Sequence, residues 1–204
     1  MALTPTSCAQ PSLLLVRTRM SRALRWHAFA VVLLASAARA GEFVPEPDGY
    51  RVENYRAPVP ATLKGARVLS TEEVRGIWTA GSGAFVDVLP HPPKPKNLPA
   101  GTVWREAARL DIPGSIWLPD TGYGELAAVM EEYLRQGLSR ATGGDSGKLV
   151  VFYCQRDCWM SWNAAKRALS YGYANVAWYP EGTDGWQQAN MPLATARPDP
   201  RPGE

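Results

Sequence analysis

The sequence predicts an α/β fold with helices on both faces of a mainly parallel sheet, because short apolar strands alternate with amphipathic helices. Of its 204 residues, 46% are hydrophobic and 20% are charged, a balance that excludes a wholly disordered chain. The length suits one large domain or two small ones. Ligands of parallel sheets bind beyond the carboxyl ends of the strands, so residues that follow strands are the first candidates for chemistry.

Residues 1–40 have the order of a secretory signal peptide, with five arginines, no acidic residue and an apolar run over 28–38. Ala38 and Ala40 are the small residues of a cleavage site before Gly41. The apolar run is too short to span a bilayer, which needs about twenty residues. Met20 is an alternative start, and a retained anchor is the alternative interpretation. We therefore expect export to the periplasm and no membrane span after cleavage.

Cleavage would also remove five of the 22 basic residues, leaving 17 against 19 acidic ones and a net charge of −2. Nucleic-acid binding is thereby excluded, because it needs clustered positive charge. Two cysteines remain, Cys154 and Cys158, and in an exported protein they either pair or are kept reduced for a purpose. We expect no metal site, since donors are few, and no covalent haem, since Trp159 stands where its histidine is needed.

The remaining chain is predicted as a proline-rich arm over 41–65, a folded domain over 66–190 and a disordered tail over 191–204. Ser70 and Glu73 have the spacing of a capping box at the start of the first helix, and Asp184 is predicted to cap the last one. The predicted strands lie at 66–70, 84–90, within 112–119, 148–154 and 175–180; the predicted helices span 71–79, 124–139, 161–170 and 182–189; and 91–99 is a surface loop.

Five segments in order resemble the rhodanese domain over about residues 66–190, and they are VDV (86–88), IPGS (112–115), VVFYC (150–154), AAKRALSYGYANV (164–176) and EGTDGW (181–186). The segments CQRDCWMSWNAAKRAL and WYPEGTDGW are similar to the CxxCW-motif protein family associated with catabolism dependent on pyrroloquinoline quinone (PQQ). Here three residues, not two, separate the cysteines.

The resemblance implies a rhodanese-like three-layer fold with a central, mainly parallel sheet. It also implies an accessory role in PQQ-dependent alcohol oxidation. The implied partners are a quinoprotein dehydrogenase or cytochrome c, with PQQ present only by association and no covalently bound cofactor.

It further implies that Cys154, at the end of the most strand-like run, is a nucleophile that takes sulfur from a donor such as thiosulfate or a protein thiol. The resulting persulfide would lie in a cradle formed by the loop that follows, where Arg156 either binds an anionic donor or is simply solvated. Phosphatase chemistry is disfavoured, because Met160 stands where the phosphatases of this fold need an arginine. The residues of the implied cradle are Gln155, Arg156, Asp157, Trp159 and Met160.

Cys158 leaves two further interpretations open. It resolves a persulfide or sulfenate on Cys154 in a thiol redox cycle, or it forms a static disulfide in a non-catalytic docking module. Trp159 lies inside the loop and is predicted to offer its face to a quinone or a partner's aromatic group. Trp178 and Trp186 are predicted to be core residues, and Asp87 is predicted to accept hydrogen bonds from a neighbouring loop.

Overall fold

In the computed structural model, which describes residues 44–92, 95–105 and 107–201, the strands and helices lie within one compact unit, Gly41–Glu204. The signal-peptide prediction for residues 1–40 falls outside the described residues. The elements are β1 (Arg67–Val68), α1 (Thr71–Ala80), β2 (Ala84–Asp87), β3 (Leu110–Asp111), β4 (Ile116–Trp117), α2 (Ala128–Thr142), β5 (Val150–Tyr153), α3 (Trp159–Ser170), β6 (Val176–Trp178), α4 (Gly182–Gln188) and β7 (Ala194–Thr195).

Five strands form a parallel sheet in the order β1-β6-β5-β2-β4, and β3 pairs with β7 in a separate antiparallel ribbon. Successive side chains of a strand point to opposite faces, so each strand contributes to two cores. Val86 and Phe152 pack with α2 and α3 on one face, whereas Phe85 and Val151 pack with α1 and α4 on the other. The α/β prediction with a mainly parallel sheet and three layers is confirmed.

The starts of two helices are set in different ways, one by local sequence and the other by a contact with a distant segment. The capping box predicted for α1 is present, because the Ser70 hydroxyl accepts the Glu73 N–H while the Glu73 carboxylate accepts the Ser70 N–H. Helix α2 begins at Ala128 rather than at the predicted residue 124. Gly124 instead lies against the backbone of Arg51 and donates its N–H to the Tyr55 hydroxyl (3.1 Å), so this segment serves a contact with the N-terminal arm.

The described part of the arm lies along α3. Prolines keep it out of regular structure, and its free carbonyl groups therefore accept hydrogen bonds from side chains of the helix. Trp159 Nε1 donates to the Pro58 carbonyl (3.0 Å), and Trp162 Nε1 donates to the Thr62 carbonyl (3.1 Å). Asn163 both donates to and accepts from the backbone of Arg51, at 2.8 and 2.9 Å. The arm thus covers the face of α3 that the two tryptophans line.

The prediction of a disordered tail is wrong for residues 191–201. Strand β7 pairs with β3, and the Asp199 N–H donates to the Trp117 carbonyl (2.8 Å). The Tyr133 hydroxyl donates to the Asp199 carbonyl (2.6 Å). Prolines exclude a helix here, but they do not prevent single residues from pairing with β4, which is an edge strand with free backbone groups.

Candidate active site

Cys154 follows β5, the middle strand of the sheet, and its side chain is fully buried. Its carbonyl group accepts the Thr183 N–H (3.0 Å) and, at longer distances, the Thr183 hydroxyl (3.2 Å) and the Arg109 guanidinium (3.4 Å). Its sulfur points to the other side, where it lies 3.2 Å from Ser161 Oγ in α3. Thr183 and Arg109 therefore hold the Cys154 backbone, whereas α3 surrounds the sulfur.

Cys158 directly precedes α3 as its N-cap residue and is 2% exposed. Cys154 and Cys158 form a disulfide that closes the loop between β5 and α3, with their Cα atoms 6.5 Å apart. The structure therefore describes the oxidised form of the site, and Cys154 is not a thiolate in it. Ser161 Oγ also accepts the Trp178 indole N–H (3.0 Å), which places a buried polar chain beside the disulfide.

In this form two amides of the expected cradle already have other acceptors. The Arg156 N–H donates to the Asp184 carboxylate (3.0 Å), and the Trp159 N–H donates to the Tyr55 carbonyl of the arm (2.9 Å). The Ala57 N–H in turn donates to the carbonyl of Asp157 (3.1 Å). The bonds of Tyr55 and Ala57 hold the arm against the loop. The amides at residues 156 and 159 therefore do not face a free anion site.

The Arg156 side chain turns away from the sulfur. Its Nε donates to the Glu181 carboxylate (2.6 Å) and a terminal nitrogen donates to the Gln188 side chain (2.7 Å). The hydrogen bond that Arg156 donates to Glu181 raises the pKa of Arg156, so the guanidinium stays charged and bound in this ion pair. In the oxidised form the Arg156 guanidinium is thus paired with Glu181 of the neighbouring turn, and binding of an anionic donor by Arg156 stays a prediction.

The loop turns sharply at Asp157, whose φ of 52° lies in the left-handed region. On the opposite side, Gln155 forms an isolated bridge with Gly182, and a side chain at Gly182 would collide with the Cys154 carbonyl. Gly182 has a φ of 51°, so the position favours glycine for backbone conformation as well as for space. The loop is thus held between the start of α4 and the arm.

Two predictions about individual side chains are wrong. Trp159 is only 2% exposed, because the arm covers it, Arg51 lies over its ring and Trp162 packs edge-on against it. It offers no free face to a quinone or a partner in this form. Asp184 does not cap α4, whose N-cap is Glu181, because Asp184 lies in the first turn and accepts the Arg156 N–H instead.

Four other side chains named in the sequence analysis are buried. Trp178 and Trp186 are fully buried, so their assignment to the core is confirmed. Met160, assigned to the cradle, is 1% exposed and lies in the first turn of α3, where the backbone of Gly122 packs against it. Asp87 accepts the Leu89 N–H (2.9 Å) as predicted, and it also binds Arg109.

Sequence reasoning missed Arg109. Its Nε donates to Asp87 at 2.6 Å, in an ion pair whose carboxylate is fully buried, and it links Asp87 to the backbone of Cys154. Burial raises the pKa of Asp87, and the charge of Arg109 opposes that shift. A buried acid in a strand requires a cationic partner, so Asp87 was a signal that one exists, but no pattern identifies which arginine the fold brings to it.

Asp111 lies near the same ion pair, with one carboxyl oxygen that has no hydrogen-bond partner among the described residues. Burial, and secondarily the charge of Asp87, raises the pKa of Asp111 to about 7, against the opposing charge of Arg109. Burial also raises the pKa of Tyr153, whose hydroxyl binds Ser115 (2.7 Å) and accepts the Ile112 N–H (3.1 Å). A buried polar cluster therefore lies directly behind the cysteine loop.

The described part of the chain contains no group of three or more His, Cys, Asp or Glu side chains able to hold a metal ion, and no helix there is long and apolar enough to cross a membrane.

The chain is similar to several proteins of known structure. No curated protein sequence matches the chain. A thiosulfate sulfurtransferase structure from Pseudomonas aeruginosa is 20% identical with a TM-score of 0.45, covering 68% of this chain and 22% of that one, so this chain spans about a fifth of its length. The polysulfide-sulfur transferase homodimer of Wolinella succinogenes is 17% identical with a TM-score of 0.41, covering 64% and 79%. An uncharacterized protein of Saccharomyces cerevisiae is 24% identical with a TM-score of 0.37, covering 61% and 92%.

The family model described as the rhodanese-like domain matches residues 102–189. That range begins before β3 and ends after α4, so it includes Cys154, the loop to α3 and the turn that carries Gly182. The parallel sheet with helices on both faces agrees with this match. Residues 102–189 are therefore similar to a rhodanese-like domain.

Proposed function

We propose that the protein carries sulfane sulfur on Cys154 in its reduced form. The observation that carries this proposal is the position of Cys154, which directly follows the middle strand of a rhodanese-like sheet and faces the first turn of α3. A helix N-terminus stabilises negative charge, and Ser161 Oγ lies 3.2 Å from the sulfur, where it can donate to a thiolate. Both effects favour the nucleophilic form of the cysteine.

The proposed cycle starts with reduction of the Cys154–Cys158 disulfide by an external thiol, which is itself oxidised. The Cys154 thiolate then attacks the sulfane sulfur of thiosulfate. The sulfur–sulfur bond of the donor breaks, sulfite leaves with the electron pair, and a persulfide remains on Cys154. A persulfide on a protein donor would react in the same way, with a thiolate as the leaving group.

Cys158 supports a second step, because its sulfur is within bonding distance of Cys154 in the oxidised form. The Cys158 thiol loses its proton and attacks Cys154 Sγ, and the outer sulfur leaves as hydrosulfide. The two cysteines are oxidised to the disulfide and the sulfane sulfur is reduced. The disulfide in the structure is then the product state of one turnover rather than a static cross-link.

A second candidate function is thiol–disulfide exchange without sulfur transfer, which the observed disulfide favours. The ring of five residues that it closes gives only about 2 kcal/mol on a loop-entropy account, which suits a bond that is made and broken. The third interpretation, a docking module, is favoured by the arm that seals the site. Only sulfur transfer adds a sulfur atom to the protein, so the intact mass of the protein distinguishes it from thiol–disulfide exchange and from docking.

The biological setting is also part of the proposal. We place the protein in the periplasm, where disulfides persist, as an accessory to PQQ-dependent alcohol oxidation that acts beside a quinoprotein dehydrogenase or cytochrome c. The support is the signal-like order of residues 1–40 and the resemblance of CQRDCWMSWNAAKRAL and WYPEGTDGW to the CxxCW-motif family. PQQ itself would be bound by the partner.

The test is the intact mass of the mature protein after reduction, removal of reductant and incubation with thiosulfate. The Cys158→Ser variant should retain one extra sulfur atom per chain, because its persulfide cannot be resolved. The wild type should release about one hydrosulfide per chain and return to the disulfide, and Cys154→Ser should do neither.

Absence of the extra sulfur on Cys158→Ser would refute sulfur transfer. Thiol–disulfide exchange would then be supported only if the wild type still oxidised a protein dithiol while Cys154→Ser did not. A disulfide that resists reduction in the folded protein, together with no sulfur uptake, would support the third interpretation, a non-catalytic docking module.

A further inference from the structure

A cavity of about 610 Å³ lies beside the cysteine loop at the carboxyl ends of the central strands. Leu89 follows β2, Trp117 ends β4 and Gln155 follows β5, so three neighbouring strands deliver residues to its wall. This is the edge where parallel sheets bind ligands, and the volume is within the range of small-molecule sites. The Cys154 sulfur is not part of the wall, because it points toward α3.

The floor of the cavity carries hydrogen-bond donors that are poorly used. Arg109 makes its short bond through Nε, to Asp87 at 2.6 Å. Among the described residues, its two terminal nitrogens reach the Thr183 hydroxyl and the Cys154 carbonyl, each at 3.4 Å. The Arg109 side chain is nine-tenths buried. An anionic oxygen in the cavity would be a stronger acceptor than either present partner.

A second guanidinium lies in the wall. Arg56 donates to the Arg156 carbonyl (2.9 Å), a neutral acceptor that leaves its positive charge unpaired by this bond. Asp184 is the acidic member of the wall, and its carboxylate already accepts the Arg156 N–H. The donors of the cavity therefore favour a negatively charged group.

The remaining walls are apolar. His91 and Trp117 form an aromatic pair with ring centroids 4.7 Å apart, and Leu89, Leu110 and Leu193 complete the lining. Leu110 is 46% exposed, although leucine is usually buried. A ligand with an apolar or aromatic body would cover these side chains.

We propose that this cavity is a binding site for a small organic anion, with an aromatic or apolar body against the His91–Trp117 pair and an acidic group on Arg109 and Arg56. This goes beyond the proposed sulfur transfer, because the ligand need not react. Through Arg109 the ligand would contact the group that holds the Cys154 carbonyl, so occupancy and the position of the cysteine loop are linked.

The test uses 8-anilinonaphthalene-1-sulfonate, an aromatic anion whose fluorescence rises on binding, and N-phenyl-1-naphthylamine, the same body without the sulfonate. The wild-type protein should bind the sulfonate saturably at one site per chain. Gln187 lines the cavity and is exposed, so changing it alters the charge of the wall without disturbing the core. Gln187→Glu should weaken sulfonate binding roughly threefold and Gln187→Lys should strengthen it similarly.

The same two variants should bind the uncharged probe as the wild type does. The matched control is Gln136→Glu, an exposed residue of α2 outside the cavity, which should leave both affinities unchanged. Near-ultraviolet circular dichroism checks that every variant keeps its packed core. The proposal is overturned if the sulfonate does not saturate, or if its affinity is the same in the Glu and Lys variants at residue 187.

Discussion

Asp111 shows how a single buried group makes stability depend on pH. Its free-chain pKa of 3.8 rises to about 7 in the folded protein, chiefly because it is buried. Between these values the folded state holds a proton that the unfolded state has lost. The free energy of unfolding therefore falls as the pH rises from about 4 to 7, and it levels off above that range.

We expect Asp111→Asn to remove this slope, because an amide needs no proton to stay neutral. The variant should gain stability relative to the wild type at pH 8, by an amount on the order of a few kcal/mol, and little at pH 4. Urea unfolding at several pH values measures both effects. Asp48→Asn, on an exposed residue of the arm, is the control, and an unchanged slope in Asp111→Asn would contradict the account.

At the scale of elements, the arm controls access to the disulfide. Tyr55 anchors it three ways, through its carbonyl to the Trp159 N–H, through its hydroxyl to the Gly124 N–H, and through edge-on packing against Tyr123. Both cysteine sulfurs are buried beneath this contact. A reductant must therefore displace the arm locally before it reaches the sulfurs.

Tyr55→Ala should accelerate reduction of the Cys154–Cys158 disulfide, by about tenfold if loss of one hydroxyl bond and one ring contact costs about 1.4 kcal/mol. The measurement is the rate of cysteine alkylation, followed by mass, in the presence of a small phosphine. Glu53→Gln changes an exposed side chain of the same arm and should leave the rate as it is. Equal rates in wild type and Tyr55→Ala would show that the arm does not limit access.

Features that depend on neighbouring residues could be predicted from the sequence, whereas those that depend on distant partners could not. Strand alternation, the capping box of α1 and the position of Cys154 depend on residues close in the chain, and all three could be predicted. Trp159 and Asp184 were misplaced because their partners come from far away, the arm for one and the loop after β5 for the other. Local rules give Asp184 a capping role, but a backbone N–H brought by folding competes for the same carboxylate.

Across the whole molecule, the C-terminal segment closes the open edge of the sheet. It pairs β7 with β3 and bonds residue Asp199 to both Trp117 and Tyr133, whose side chains are 4% and 0% exposed. Asp199 also forms an ion pair with Arg140 in α2. The tail therefore connects the edge strand β4 to helix α2.

Deleting residues 194–204 should lower the free energy of unfolding by roughly 2–4 kcal/mol, because several backbone bonds and the cover over Trp117 are lost. The midpoint of urea unfolding measures this change. Asp199→Asn is the matched variant, since it weakens a half-exposed ion pair but keeps the backbone bonds, and should cost less than about 1 kcal/mol. A truncated protein as stable as the wild type would show that the tail only rests on the surface.

Trp178 Nε1 donates to Ser161 Oγ, which lies 3.2 Å from the Cys154 sulfur, so a single hydroxyl group separates an indole ring from the disulfide. Trp159 is next to Cys158 in the chain and is buried with it. Disulfides quench the excited state of nearby indoles. We therefore expect the tryptophan fluorescence of the unlabelled protein to be stronger when the two cysteines are reduced than when they form the disulfide.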